Sequence, residues 1–351
     1  MTGAVEPLRI GVLGAARISG LSIVGPAAAT GTRLVAVAAR DRGRAESFAK
    51  SHGIERVLDS YADVVADPEV EAIYNPLANS LHAPWNKAAI LARKHVLTEK
   101  PFASNTAEAA QVRDLARGQS LVLFEGLHYV YHPLMQRLMS LLADGELGEL
   151  RHVEITMFMS APAPDDPRWS LALAGGSLMD LGCYAVHAQR VLGDFAGGEP
   201  TLVDATGAER DGAPGVDAWA DAHLEFPSGA TGRARCSMTS DHWDMSLRVI
   251  GSAGEAYVPD FLYQKYDDRI IIKSAAGERT EHCGNTTSYT YQLQAFIDAV
   301  RHDAPYRTDA DDAVTTMALI DSCYRSIGLQ PRPSYAEQLV TVPRREGDTT
   351  T

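Results

Sequence analysis

Apolar positions in the first third of the chain fall in short unbroken runs rather than in alternation. Residues 8–13 (LRIGVL), 33–39 (RLVAVAA), 71–75 and 96–98 read as strands buried on both faces, with further strand-like pieces at 56–58 and 121–124. Helix-forming stretches lie between them: one from Arg17 onward, one over 81–92, and one that Asn105 opens and that runs to Arg117. Glu108, three residues after Asn105, completes a capping-box-like start. Buried strands alternating with helices specify a doubly wound parallel sheet. The pattern changes after His128. Residues 151–159 (RHVEITMFM) alternate, and further pieces follow at 218–226, 230–238, 246–250, 255–258 and 269–273. Tight turns such as Pro227-Ser228-Gly229 and Ser252-Ala253-Gly254 separate several of them, the pattern of an antiparallel sheet. Helices are expected from His132-Pro133 to Ala143, over 291–301 and over 310–326. The expected fold class is therefore α/β. An N-terminal Rossmann doubly wound sheet would occupy residues 1–127, and a C-terminal α+β domain with a large, mostly antiparallel open-faced sheet residues 128–351. The polar tail from Arg344 is expected to fray.

Composition narrows the partners. A formal net charge of −13 argues against a nucleic-acid footprint, because a phosphate backbone would be repelled. No apolar run approaches the roughly 18 residues of a membrane span, and residues 1–9 lack a secretion signal. The four cysteines (Cys183, Cys236, Cys283, Cys323) are far apart, as expected for free thiols in a reducing cytoplasm. Neither a His-Glu-x-x-His zinc motif nor a phosphate-binding Gly-x-x-x-x-Gly-Lys loop is present, so no metal is expected.

Three places carry chemistry. The first strand breaks at Gly14-Ala15-Ala16, where a small-residue turn before a helix can bring backbone N–H groups to a pyrophosphate. The second strand ends on Arg40-Asp41-Arg42. An arginine at that point accommodates the 2′-phosphate of NADP, where NAD binding uses an acid; the alternative is a helix-capping group in which the arginines pair with Glu46 and Asp41. The run Val96-Leu97-Thr98-Glu99-Lys100-Pro101 delivers a lysine to the carboxyl end of a strand, where open parallel sheets bind ligands. A solvated lysine on a connection is the plainer reading. Gly175-Gly176-Ser177 then starts a helix on which Asp180, Tyr184 and His187 share one face. A lysine beside a tyrosine suits carbonyl and alcohol chemistry, because the cation favours the phenolate; a core tyrosine satisfied locally is the alternative.

Together GVLGAARIS, AARD, NSLHAPW, HVLTEKPF and GGSLMDLGCY, with the closing QAFIDAV and SCYRSIGLQPR, resemble the glucose–fructose oxidoreductase / inositol dehydrogenase (Gfo/Idh/MocA) family over nearly the full length. DLGCY is similar to the branch holding dimeric dihydrodiol dehydrogenase, xylose dehydrogenase and glucose–fructose oxidoreductase. The resemblance implies an NADP(H)-dependent oxidoreductase moving a hydride between nicotinamide and a sugar-like alcohol or carbonyl. Lys100 and Tyr184 would be its catalytic pair, with Lys100 orienting Tyr184 and lowering its pKa. Gly14, Ala16, Arg17 and Ile18 would hold the pyrophosphate, Arg40 the 2′-phosphate, and Asn79, His82 and Glu99 the nicotinamide side. Arg168 and Trp169 would close over the cofactor. Asp180 and His187 would face the substrate or support Tyr184. A homodimer or homotetramer through the exposed sheet face is implied as well. A ketosugar reductase, a dihydrodiol dehydrogenase and a dinucleotide-binding regulator are the other readings. Two departures stand out. Ala16 replaces a frequent glycine, and residues 125–133 (EGLHYVYHP) resemble EAFMYRFHP, with Val130 in place of arginine and His128 as an added polar group facing the substrate.

Overall fold

The structure, a computed structural model, describes residues 6–334; the tail from Arg344 lies outside them. The first half contains β1 (Arg9–Leu13), β2 (Arg33–Ala38), β3 (Ala72–Asn75), β4 (His95–Thr98) and β5 (Leu123–Glu125). All are parallel, in the order β2-β1-β3-β4-β5. The helices α1 (Gly25–Thr30), α2 (Arg42–His52), α3 (Tyr61–Ala66), α4 (His82–Leu91) and α5 (Thr106–Ala116) connect them. Ile10, Val12, Val35, Val37, Ile73, Val96 and Leu97 are fully buried, as unbroken apolar runs require of strands covered on both faces. The connections from β1 and β3 leave in opposite directions, so a crevice opens at the carboxyl ends of these strands. Two expectations are corrected. Residues 56–58 make only a single bridge, Val57 to Val37. The helix expected from Arg17 begins as a wide π turn at Gly20–Val24.

The second half contains α6 (Pro133–Ala143), β6 (Leu150–Phe158), α7 (Cys183–Leu192), β7 (Thr201–Arg210), β8 (Ala213–Glu225), β9 (Thr231–Ser237), β10 (Leu247–Gly251), β11 (Gly254–Val258), β12 (Arg269–Ser274) and β13 (Gly277–His282). These strands form one eight-stranded sheet, β13-β12-β11-β10-β6-β9-β8-β7, in which only β6 and β9 run parallel. The sequence pattern missed β7 and β13. They are the two edges, exposed along most of their length, and so lack the buried residues that mark a strand. One sheet face packs on α7, and the other is open and carries the half-exposed Trp219.

Two final helices, α8 (Ser288–His302) and α9 (Ala310–Ser326), return to the first half. Leu293 and Phe296 of α8 join Ile10, Val12, Tyr74 and Phe124 in one core, and Asp321 of α9 accepts hydrogen bonds from the Thr106 backbone and hydroxyl at the start of α5. The two sheets are thereby tied by a shared core, with a cleft between them.

Candidate active site

The cleft has a volume of about 320 Å³ and is lined from both halves. Ala16, Arg17 and Ile18 follow β1, Leu77 and Asn79 follow β3, and Glu99 and Lys100 follow β4. The second half contributes Asp180, Tyr184, Trp243, Tyr263 and Tyr289. Gly14 makes the turn out of β1 with φ +91°, and a Cβ there would stand 3.1 Å from Leu77. Its N–H donates to the Ala38 carbonyl at 2.7 Å. The turn, the small Ala16 and the exposed Arg17 form a cradle suited to a dinucleotide phosphate. Arg40 is exposed at the end of β2 and has no ion-pair partner among the described residues, whereas Arg42 pairs with Glu46 and Asp59, and Asp41 caps α2.

Lys100 reaches across the cleft. Its Nζ donates to the Asp180 carbonyl at 2.7 Å and lies 3.2 Å from Asp180 Oδ1. Asp180 Oδ2 accepts from Arg168 Nε at 2.8 Å, and Arg168 and Arg17 both bind Asp166, the latter at 3.1 Å. Charges thus alternate from the first half to the second. Burial opposes ionisation of Asp180, but Lys100 and Arg168 outweigh it and hold the carboxyl below its ordinary range. Burial likewise opposes the Lys100 charge, and Asp180, Cys183 and Glu99 reverse that effect.

Tyr184 differs from expectation. Lys100 Nζ sits over its ring, 5.1 Å from the centroid, and not at its hydroxyl. That hydroxyl lies 3.1 Å from His128 Nε2. Burial, joined by Tyr289, Glu99, Cys183 and Tyr263, drives the Tyr184 pKa well above its ordinary value, opposite to the expected lowering. His128 is correspondingly not in the cleft wall; it is buried behind Tyr184, and burial pulls its imidazole down to about 3.

Other expected site residues separate into those in the cleft and those beside it. Glu99 lines the cleft and accepts from the Tyr74 hydroxyl at 2.8 Å; burial raises its carboxyl. Asn79 donates across the cleft to the Ala174 carbonyl at 3.0 Å. The ring nitrogens of His82 lie 2.7 Å and 2.9 Å from the carbonyls of Pro101 and Leu77, pinning the loops after β3 and β4 together. Trp169 is not in the cleft lining; the Arg210 guanidinium covers its ring at 4.3 Å. His187 also points elsewhere, to the Tyr129 hydroxyl at 2.7 Å and Asp312 at 3.1 Å. The first turn of this helix, Leu178–Gly182, is a π turn, which puts Asp180 out of α-helical phase with the residues that follow; α7 begins at Cys183 and carries both Tyr184 and His187, which lie about 60° apart around it.

Several contributors left little trace in the sequence. Tyr263 and Tyr289 close the cleft from the loop after β11 and the start of α8. Beneath the Gly175-Gly176 turn, buried Asp217 accepts from Ser177 Oγ at 2.8 Å, from the Leu178 N–H at 2.6 Å and from the Tyr324 hydroxyl at 2.9 Å, and it pairs with buried Arg332. This anchor sets the direction of the helix that carries Asp180 and Tyr184. Only the glycines hinted at it: Gly176 has φ +127°, and a Cβ there would collide with the Asp217 carboxylate.

Comparison with known proteins agrees with this architecture. Residues 8–127 match the oxidoreductase family with an NAD-binding Rossmann fold, and residues 135–257 match the GFO/IDH/MocA C-terminal domain. The D-xylose 1-dehydrogenase (NADP(+)) 2 of Haloferax volcanii is 35% identical over 332 residues, covering 91% of this chain and 97% of the relative. The trans-1,2-dihydrobenzene-1,2-diol dehydrogenase of Sus scrofa is 35% identical, over 65% of this chain and 66% of the relative. A crystal structure of a 3-ketoreductase from Actinomadura kijaniata, in complex with NADP and TDP-benzene, superposes with a TM-score of 0.83 at 26% identity, covering 92% and 98% of the two chains. The chain belongs to the Gfo/Idh/MocA oxidoreductase family and is an NAD(P)-dependent oxidoreductase.

Proposed function

We propose that this protein uses NADP(H) to interconvert an alcohol and a carbonyl on a sugar-like substrate, with Lys100 and Tyr184 at the reacting oxygen. The observation that carries this reading is the meeting of Lys100 and Tyr184 in one cleft, from the two halves of the chain. Bound nicotinamide would supply or accept the hydride. Residues 1–127 would serve the cofactor and residues 128–351 the substrate, with Gly14, Ala16, Arg17 and Ile18 holding the pyrophosphate and Arg40 the 2′-phosphate. Asn79, Glu99 and Lys100 line the adjoining part of the cleft. Trp243, Tyr263 and Tyr289 offer ring faces and hydroxyls of the kind that bind the apolar faces and edges of a sugar. Arg168 and Asp180 would hold substrate hydroxyls.

A ketosugar reductase is the second reading. Burial keeps Tyr184 protonated, the form that donates to a carbonyl oxygen. The NADP(+)-named xylose dehydrogenase and the NADP-bound ketoreductase among the relatives support the cofactor assignment. We further infer a cytoplasmic homodimer or homotetramer, formed through the open sheet face around Trp219. No helix among the described residues is long and apolar enough to cross a membrane.

The test is fluorescence titration with NADPH and NADH, followed by a panel of aldoses, polyols, ketosugars and diols. Tighter NADPH binding with turnover on a sugar or diol is expected, and Arg40→Ser should erase the preference for NADPH. Tyr184→Phe and Lys100→Met should each lose more than 100-fold in kcat with nucleotide Kd within about threefold, the size expected for removal of acid–base machinery. Unchanged turnover in both variants would refute the pair, and NADH preference would refute the role of Arg40.

A further inference from the structure

The mechanism above leaves a difficulty at Tyr184. Alcohol oxidation needs a group that accepts the substrate's hydroxyl proton, and a neutral phenol accepts one only if it gives up its own. Burial holds Tyr184 in the neutral form, and Lys100 is spent on Asp180. The lone pair facing the phenol belongs to His128, whose Nε2 lies 3.1 Å from the hydroxyl. Behind it, His128 Nδ1 is 2.8 Å from Ser288 Oγ, and the Ser288 hydroxyl donates to the Leu262 carbonyl at 3.3 Å.

One arrangement of hydrogens satisfies this chain. Ser288 has a single proton, and the Leu262 carbonyl is its acceptor. The Ser288 oxygen must then accept from His128 Nδ1–H, which leaves His128 Nε2 bare to receive the Tyr184 O–H. The opposite arrangement would strip the Leu262 carbonyl of its donor.

We propose that His128 is the proton acceptor behind Tyr184, so that a neutral phenol can work as the base for alcohol oxidation. This rests on the reading of the cleft as an oxidoreductase site. As the substrate C–H bond breaks, its electron pair leaves with the hydride to oxidised nicotinamide. The hydroxyl proton passes to Tyr184 Oη, the Tyr184 proton passes to His128 Nε2, and the products are a carbonyl and an imidazolium. A hydroxyl whose carbon is losing a hydride becomes strongly acidic, which drives the transfer onto a weakly basic imidazole. Reduction is the same sequence reversed.

The surroundings keep Nε2 available at neutral pH. The Tyr289 ring lies tilted against the His128 ring, with centroids 3.9 Å apart, and Lys100 and His132 are the charged or titratable groups that join burial in opposing its protonation. Tyr184 meets the His128 ring edge-on as a neutral phenol, and Tyr129, also neutral, meets the Tyr184 ring in turn. His128 stands where the similar segment EAFMYRFHP carries methionine, so His128→Met removes the acceptor with a side chain of suitable bulk.

The test compares the parent with His128→Met and His128→Gln. Both variants should lose at least tenfold in kcat for alcohol oxidation at pH 7, with KM changed less than threefold. Their log kcat should climb with a slope near one into alkaline pH as Tyr184 loses its proton to solvent. Glutamine can hold the hydroxyl in place but takes no proton, so a glutamine variant within twofold of the parent would overturn the proposal, as would an unchanged pH profile in His128→Met. A readout without turnover is the nitrogen NMR of the His128 ring in the cofactor-free protein. Protonation at Nδ1, with an Nε2 signal that shifts in Tyr184→Phe, is expected; a proton resident on Nε2 would overturn the chain of hydrogen bonds. If the parent oxidises no alcohol in the panel, the functional reading fails, while the ring spectrum still decides the hydrogen-bond chain.

Discussion

Replacing Arg332 with methionine probes the anchor beneath the helix that carries Asp180 and Tyr184. Arg332 is 1% exposed, and its Nε and Nη1 donate to the carbonyls of Gly175 and Gly215 at 2.7 Å and 2.6 Å. Its Nη2 pairs with fully buried Asp217, and its guanidinium lies 4.1 Å from the Tyr324 ring centroid. Methionine would fill much of the volume but leave a buried carboxylate without a countercharge, a defect that costs about 3–5 kcal/mol. The two orphaned carbonyls add roughly 1 kcal/mol each where water cannot reach them. A melting temperature lower by on the order of 10 °C follows for a chain of this size. Because Asp217 holds Ser177 and the Leu178 N–H, kcat should fall with it, while nucleotide Kd, set mainly in the other half, should change less than about threefold. Thermal melts, nucleotide titration and steady-state kinetics on one preparation give all three numbers. Asp217→Asn combined with Arg332→Met removes both charges, so it should recover at least about 1 kcal/mol relative to Arg332→Met alone. A single Arg332→Met variant melting within about 2 °C of the parent would refute the reasoning.

Gly176→Ala should destabilise by about 3 kcal/mol or more, read from denaturant midpoints, because its φ of +127° and the adjacent Asp217 carboxylate both exclude a Cβ; Gly229→Ala, at φ +83° in open space, should cost only about 1 kcal/mol. Glu125 is buried with its pKa raised by burial to about 8, so the folded state holds a proton that the unfolded state has lost. Its contribution is present below the ordinary glutamate range and lost as pH rises through about 8. Glu125→Gln should therefore flatten the fall in melting temperature between pH 5 and 9, and an unchanged fall would refute the assignment. Arg17→Ala should change stability by less than about 1 kcal/mol, because its side chain is 84% exposed and its ion pair with Asp166 is superficial. The same change should weaken nucleotide binding at least about tenfold, as loss of a phosphate contact would; equal nucleotide affinity would remove Arg17 from the cradle.

The order of elements and several of the residues that line the cleft could be read along the chain. A strand in a sheet covered on both sides must be apolar at every position, so LRIGVL, RLVAVAA and HVLT announce themselves without their neighbours. The Glu99-Lys100-Pro101 run and the Gly175-Gly176 turn are local too, since a strand end and a broken helix start are written in consecutive residues. The tertiary structure decided what depends on distant neighbours. β7 and β13 carry few buried residues because they are sheet edges, and a strand exposed along most of its length has little apolar signature. Spacing placed His187 on one face with Tyr184, but packing gave its ring other partners, the Tyr129 hydroxyl and Asp312. Asp217 and Arg332 stand 115 positions apart, and His128 and Tyr184 56 apart. Neither pair follows any periodicity, because a buried hydrogen bond is chosen by which groups packing brings within 3 Å, and desolvation sets the charge of a phenol only once the fold has closed around it.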